Sequence, residues 1–180
     1  MLRRRLTVAA PVAVAALLLT SPLRAQGAVT GWRGEFLNQA KELEGKFTQL
    51  ANAFPWEKYS WRPGKGVRSV CEVFLHISGE NYGLAEPLGV KTPAGIDLKT
   101  METCPASKDK VLATMKASFA FMRSAATNTP DKESDTIVDF FGSKITKRAL
   151  LLAIAEHWGE HLGQEIAYAR MNGIVPPWSK

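Results

Sequence analysis

The chain has 180 residues, of which 46% are hydrophobic and 22% charged, a balance that excludes a disordered or low-complexity polypeptide. Its formal net charge of +6 invites a nucleic-acid reading. Four of the 23 basic residues (Arg3, Arg4, Arg5 and Arg24) fall in the first 25 positions, however, leaving 19 against 17 acidic residues, and no basic stripe with interleaved aromatics follows; nucleic acid is therefore set aside as a partner.

The N-terminus, MLRRRLTVAAPVAVAALLLTSPLRAQ, has the parts of a secretory signal peptide. Three arginines form the positive region. Leu6 to Leu19 is an apolar run too short to cross a bilayer comfortably. Ala25 is the small residue before cleavage, although Leu23 is larger than such sites prefer. Residues 1–25 are read as the signal and 26–180 as a single domain, with the mature chain starting near Gln26. The expectation is a periplasmic or secreted protein with no membrane span once the signal is removed. The remaining roughly 155 residues match one compact domain.

From Trp32 to Phe54, apolar positions Phe36, Leu43, Phe47, Leu50 and Phe54 recur at helical spacing, and Pro55 ends the run. Residues 55–68 form a connection rich in Pro and Gly that also holds Trp56, Tyr59 and Trp61. These aromatics are read as capping one end of a bundle, with a ligand-pocket wall as the alternative. Ser69 and Glu72 are spaced as a capping box, so a second helix starts at Ser69 with Val70, Val73, Phe74, Ile77 and Leu84 on its apolar side, and Pro87 and Gly89 end it. Residues 88–104 are a long irregular segment, a kind of loop that is often functional. A third helix is expected from Pro105 to about Ala126. Residues 128–144 make another connection, in which Val138, Phe140 and Phe141 should pack inward or line a pocket. No stretch shows a convincing strand pattern.

The fourth helix, capped by Thr146, is long, rich in Ala and Leu and free of Pro up to Arg170, with Asn172-Gly173 as its C-terminal stop. Gly159 and Gly163 interrupt it; small residues there would let another helix approach closely. Cys71 and Cys104 could form a disulfide in an oxidising compartment or remain two separate thiols. Because spacing alone does not show that they approach, they are read as separate, Cys71 being a small buried residue.

The chemistry rests on histidine. His157 and His161 lie four residues apart in the fourth helix, one turn apart on one face, and can reach a single ion. The remaining histidine, His76, lies in the second helix next to apolar neighbours. It is either a neutral hydrogen-bonded core residue or a ligand. Glu80, one turn on from His76, could orient its ring or act as a base, and Glu156 and Glu160 are further candidate bases. Three neutral imidazoles would leave a divalent metal the open position of a catalytic site.

Four helices give an all-α, four-helix bundle, whose core is a common place for metal sites. The order of elements, His76, and the run EHWGEHLGQEIAYARMNGIVPP together resemble the DinB-like superfamily: a helix-2 histidine, an H-x-x-x-H pair in the last helix (His157 and His161), then Gly163-Gln164, Asn172-Gly173 and Pro176-Pro177. The resemblance covers nearly the whole chain after the signal. It implies a divalent metal, often zinc or nickel, held by His76, His157 and His161, and commonly a homodimer. Some relatives are thiol S-transferases using bacillithiol or mycothiol, and one group is a mycothiol-dependent isomerase. Those thiols are cytosolic, so the export signal sets this chain apart from them. The functional expectation is a metal-dependent hydrolase or transferase acting on a small-molecule substrate; the alternative is a non-catalytic metal- or ligand-binding or structural bundle.

Overall fold

The computed structural model describes residues 29–179; the expected signal peptide lies outside them. Four helices, α1 (Gly31–Ala53), α2 (Val70–Gly83), α3 (Lys108–Asn128) and α4 (Lys147–Met171), form the expected bundle. Both α1 and α2 pack against α3 and α4, so α2 and α4, the histidine-bearing helices, are neighbours. Among the described residues no helix is long and apolar enough to cross a membrane.

The helix boundaries follow from their caps. Ser69 and Glu72 form the full reciprocal capping box at the start of α2. Thr146 accepts from the Ala149 N–H at the start of α4. After α4, Gly173 adopts a left-handed φ of 73° and the Ile174 N–H closes back on the Ala169 carbonyl. The third helix starts at Lys108, not at Pro105: Ser107 stands before it in extended conformation, and Lys108 turns its ammonium to the Asn52 and Phe54 carbonyls at the end of α1. That contact satisfies carbonyls that α1 leaves without helical partners. Arg33 does the same for α3, donating to the Thr127 and Thr129 carbonyls.

The core is apolar and aromatic. Phe74 is fully buried, with Phe47, Phe54 and Tyr59 at ring-centroid distances of 6.4, 6.3 and 6.0 Å. Tyr59 donates to the Ala51 carbonyl, and Trp56 lies 4.9 Å from its ring, so the aromatics of 55–68 close one end of the bundle as expected. Asn81 is buried between three helices, accepting from the Trp158 indole N–H and donating to Ser118 Oγ.

Three expectations are corrected. Cys71 and Cys104 are disulfide-bonded, with Cα atoms 5.8 Å apart. The 88–104 segment folds back along α2 and brings the second sulfur to the first, a path that spacing cannot reveal. The connection before α4 contains a β-hairpin, β1 (Ile137–Phe140) against β2 (Ser143–Thr146), with Ile137 opposite Thr146 and Phe140 opposite Ser143. Its turn, Phe141-Gly142, has positive φ at both residues, 51° and 84°, the signature of a two-residue hairpin turn without the Asn-Gly pair that usually announces one. Gly159 and Gly163 do not admit a helix: both are exposed, and a Cβ at either would have nothing within 4 Å among the described residues, because they lie on the outer face of α4.

Glu165 on α4 is fully buried, and neither carboxylate oxygen has a hydrogen-bond partner among the described residues. Burial raises its pKa well above the ordinary carboxyl range. Burial, with the Glu165 charge second, also raises that of Tyr59.

Truncating Phe74 to Ala should destabilise the fold by about 3–5 kcal/mol in chemical denaturation; a loss within about 0.5 kcal/mol would mean that the ring does not hold the core. Glu165 binds its proton in the folded chain at pH values where the unfolded chain has lost it. Its stabilising contribution is complete below the ordinary carboxyl pKa and is lost as pH rises through the folded value. Glu165→Gln, neutral at every pH, should therefore gain in melting temperature over wild type as the pH is raised from about 5 to about 8; a difference that does not change with pH would contradict this.

Candidate metal centre

Helical spacing and the α2–α4 contact bring the three histidines together. His157 and His161 sit one turn apart on α4, with ring centroids 4.6 Å apart, and His76 faces them from α2 at 5.3 and 4.7 Å. One ligand atom from each ring lies within 4.8 Å of the other two. Each ring is half-buried.

Two of the rings are held through Nδ1. His76 Nδ1 donates to Glu102 Oε1 at 2.8 Å, and His161 Nδ1 donates to Gln164 Oε1 at 2.7 Å. With Nδ1 committed as donor, Nε2 carries the free lone pair, the arrangement by which hydrogen-bonded partners orient a metal-ligating imidazole. His157 Nδ1 is 3.9 Å from Glu160, too far for a hydrogen bond, while its Nε2 is buried with no partner among the described residues. A buried nitrogen without a partner is costly, and an ion between the rings would satisfy it. The donor set fits a divalent metal such as zinc.

The supports of the two rings join. Gln164 Nε2 donates to Tyr168 Oη, which donates to the Arg68 carbonyl. The Arg68 guanidinium holds Glu102 by two hydrogen bonds of 2.8 and 3.0 Å, and Glu102 holds His76. A continuous path therefore runs from His161 to His76 around the cluster. The disulfide at Cys104, two residues from Glu102, pins the end of the irregular segment to the first turn of α2.

The electrostatics favour the neutral form of His157 and His76. Burial lowers the pKa of His157 to about 4, and the neighbouring His161 and His76 act in the same direction. Burial also lowers that of His76, against the opposing hydrogen bond from Glu102. Glu102 itself lies below the usual carboxylate range: burial pushes it up, but the hydrogen bonds from Arg68 and His76 outweigh that. Neutral imidazoles are the form that ligates.

Of the predicted site residues, His76, His157 and His161 come together. Glu80 does not orient His76. The carboxylate that does is Glu102, because the 97–102 segment lies directly over α2: a Cβ at Gly79 would stand 3.1 Å from Met101 Cγ. Glu80 instead lines a cavity of about 390 Å³ that begins at His76 and continues along α2, past Gly79 and Gly83, to Glu86 and Pro87. Its other walls are Leu98, Met101, Glu102 and the hairpin residues Asp139, Phe140 and Phe141, which fulfils the expectation for the two phenylalanines. Glu156 and Glu160 are exposed. Glu102, Arg68 and Tyr168 were missed because each acts across a long gap in sequence. The only signal for Glu102 was its place in a loop too long to be idle.

The family profile described as the DinB superfamily matches residues 39–164, and the chain belongs to that superfamily. Similar solved structures include a DinB-like protein from Bacillus cereus (22% identity, TM-score 0.67, covering 79% of this chain and 93% of that one) and the DinB-like YjoA of Bacillus subtilis (19%, 0.64, 81% and 97%). A third is YfiT from Bacillus subtilis, described as a probable metal-dependent hydrolase with an unusual four-helix bundle topology (16%, 0.61, 83% and 93%). Among curated proteins none matches this chain.

Glu102→Gln should lower the His76 pKa further, since the Glu102 charge and hydrogen bond both favour the protonated ring. Imidazole resonances followed by NMR across a pH titration would show this; an unchanged His76 midpoint would mean that the pair does not form.

Proposed function

We propose that this chain is a metal-dependent enzyme of the hydrolase or transferase kind, holding one divalent ion, zinc or nickel, on His76, His157 and His161. The observation that carries the reading is the buried, unpartnered Nε2 of His157 beside two rings whose Nδ1 atoms are already engaged. YfiT's description as a probable metal-dependent hydrolase agrees with it. When bound, the ion would supply Lewis-acid activation of a water or of a substrate carbonyl.

The protein's own groups divide the remaining work. Glu102 and Gln164 hold two rings in the ligating tautomer. Glu80, one helical turn from His76 and on the cavity wall, is placed to move a proton. Burial raises its pKa, with the Glu102 charge adding and Arg68 opposing, which brings a carboxylate closer to the range of a useful general base. The cavity, walled by Leu98, Met101, Phe140 and Phe141, suits a small-molecule substrate.

Export belongs to the same proposal. The disulfide supports it, since such bonds persist in oxidising compartments.

Protein purified without a nickel column should contain about one divalent ion per chain by elemental analysis. His157→Ala/His161→Ala should contain none while keeping its helical circular dichroism. A folded wild type that retains no stoichiometric metal, even after incubation with zinc, would overturn the reading.

A further inference from the structure

The cavity beside His76 also carries information about what it accepts. Its charged lining consists of His76, Glu80, Glu86, Glu102 and Asp139. Two of the four carboxylates are neutralised from outside the cavity: Glu102 by Arg68, and Asp139 by Lys144 at 3.0 Å. Glu80 and Glu86 have no cationic partner among the described residues; Glu86 only accepts from the Thr92 hydroxyl. Among the described residues no lysine or arginine lines the space. Beyond His76, a ligand's far end would meet the Glu80 and Glu86 carboxylates, neither held in an ion pair among the described residues, and a cationic end would supply a countercharge there.

The hairpin gives a separate observation. Phe141 is 80% exposed, and it occupies a left-handed position, φ 51°, at the turn of β1 and β2. A bulky side chain costs energy in that conformation, and strain of this kind gathers at ligand-binding sites. Its ring lies 4.9 Å from that of Phe140, and both line the same cavity as Glu80 and Glu86. Aromatic faces attract cations through their quadrupoles. On the α2 side Gly79 and Gly83 share a face with His76 and extend about 10 Å from it, where Met101 and Leu98 lie close: a Cβ would stand 3.1 Å from Met101 Cγ at Gly79 and 3.5 Å from Leu98 Cδ1 at Gly83.

We propose that the cavity takes an aliphatic amine in its protonated form. Its reacting polar group would lie at His76, and its ammonium would lie toward Glu80 and Glu86 beside the Phe140–Phe141 pair. This rests on the metal reading above and names the substrate class for the same site.

Isothermal titration of the zinc-loaded protein with three hydroxamates of equal reach tests it: 6-aminohexanohydroxamate, hexanohydroxamate, and the monohydroxamate of adipic acid. The amine-bearing probe should bind about tenfold tighter than the neutral one, the scale of one well-placed charge pair, and the acid-bearing probe should bind most weakly. Glu86→Gln should narrow the amine preference and leave the neutral probe's affinity within about twofold. Equal affinities, or a preference for the acid, in wild type would overturn the proposal. Failure of every hydroxamate would overturn the metal reading instead. The amine preference is then decided on zinc-free protein, with hexylamine against hexanoate followed by NMR. Shifts at Phe140 and Phe141 with hexylamine alone support the proposal, and no difference between the two overturns it.

Discussion

Glu102 is the residue on which the organisation of the site depends. One carboxylate takes two hydrogen bonds from Arg68 and one from the His76 ring, and so joins the loop before α2, the α2 helix and the irregular segment that crosses it. Hydrogen bonds to a charged acceptor are the stronger kind, and a bidentate guanidinium adds geometric definition. The group nevertheless sits in a segment with little regular structure of its own. The disulfide two residues on compensates for that: it closes a loop of 33 residues, a constraint worth about 3–4 kcal/mol in the chain-entropy view. The bond thus holds the end of the loop in place and, with it, the carboxylate that aims a histidine.

Two different physical demands are met in α4. The face toward α2 presents His157 and His161; the inner face presents Leu151, Ile154, Trp158 and Leu162, all buried. Glu165 continues that inner face at the next helical step and is buried with it. A neutral carboxyl held among apolar neighbours is tolerable only because the proton removes the cost of burying the charge. The outer face carries Gly159 and Gly163 beside the exposed side chains of Leu152, Glu156 and Glu160.

The parts of the fold that were legible in the sequence are those written in local pattern. The α2 capping box, the Thr146 cap and the Asn172-Gly173 stop were visible because each acts over three or four residues. The histidine pair was visible for the same reason. The hairpin escaped because Phe141 stands where Asn is usual, and because four-residue strands barely establish a period. The disulfide and Glu102 escaped because their partners are 33 and 26 residues away, and only the path of the intervening chain decides whether they meet. Glu165 shows a different kind of miss. It lies on the same stripe as Trp158 and Leu162, but a glutamate among apolar positions reads as solvated unless the helix is known to be enclosed on that side.

The division of the three histidines between only two helices has a consequence for assembly. His76 is separated from His157 by 81 positions and from His161 by 85, which would be two distant encounters if each ligand had to be found independently. Because the pair rides on one rigid turn of α4, a single long-range docking event, α4 onto α2, delivers both. The entropy of closing a long loop is therefore lost once for three histidines. Contacts of such wide separation form slowly, so the cluster is complete only when the last helix has docked. Partial fraying of α4 would correspondingly remove two histidines together, which makes an intact cluster a reporter of the whole bundle's integrity rather than of its own neighbourhood.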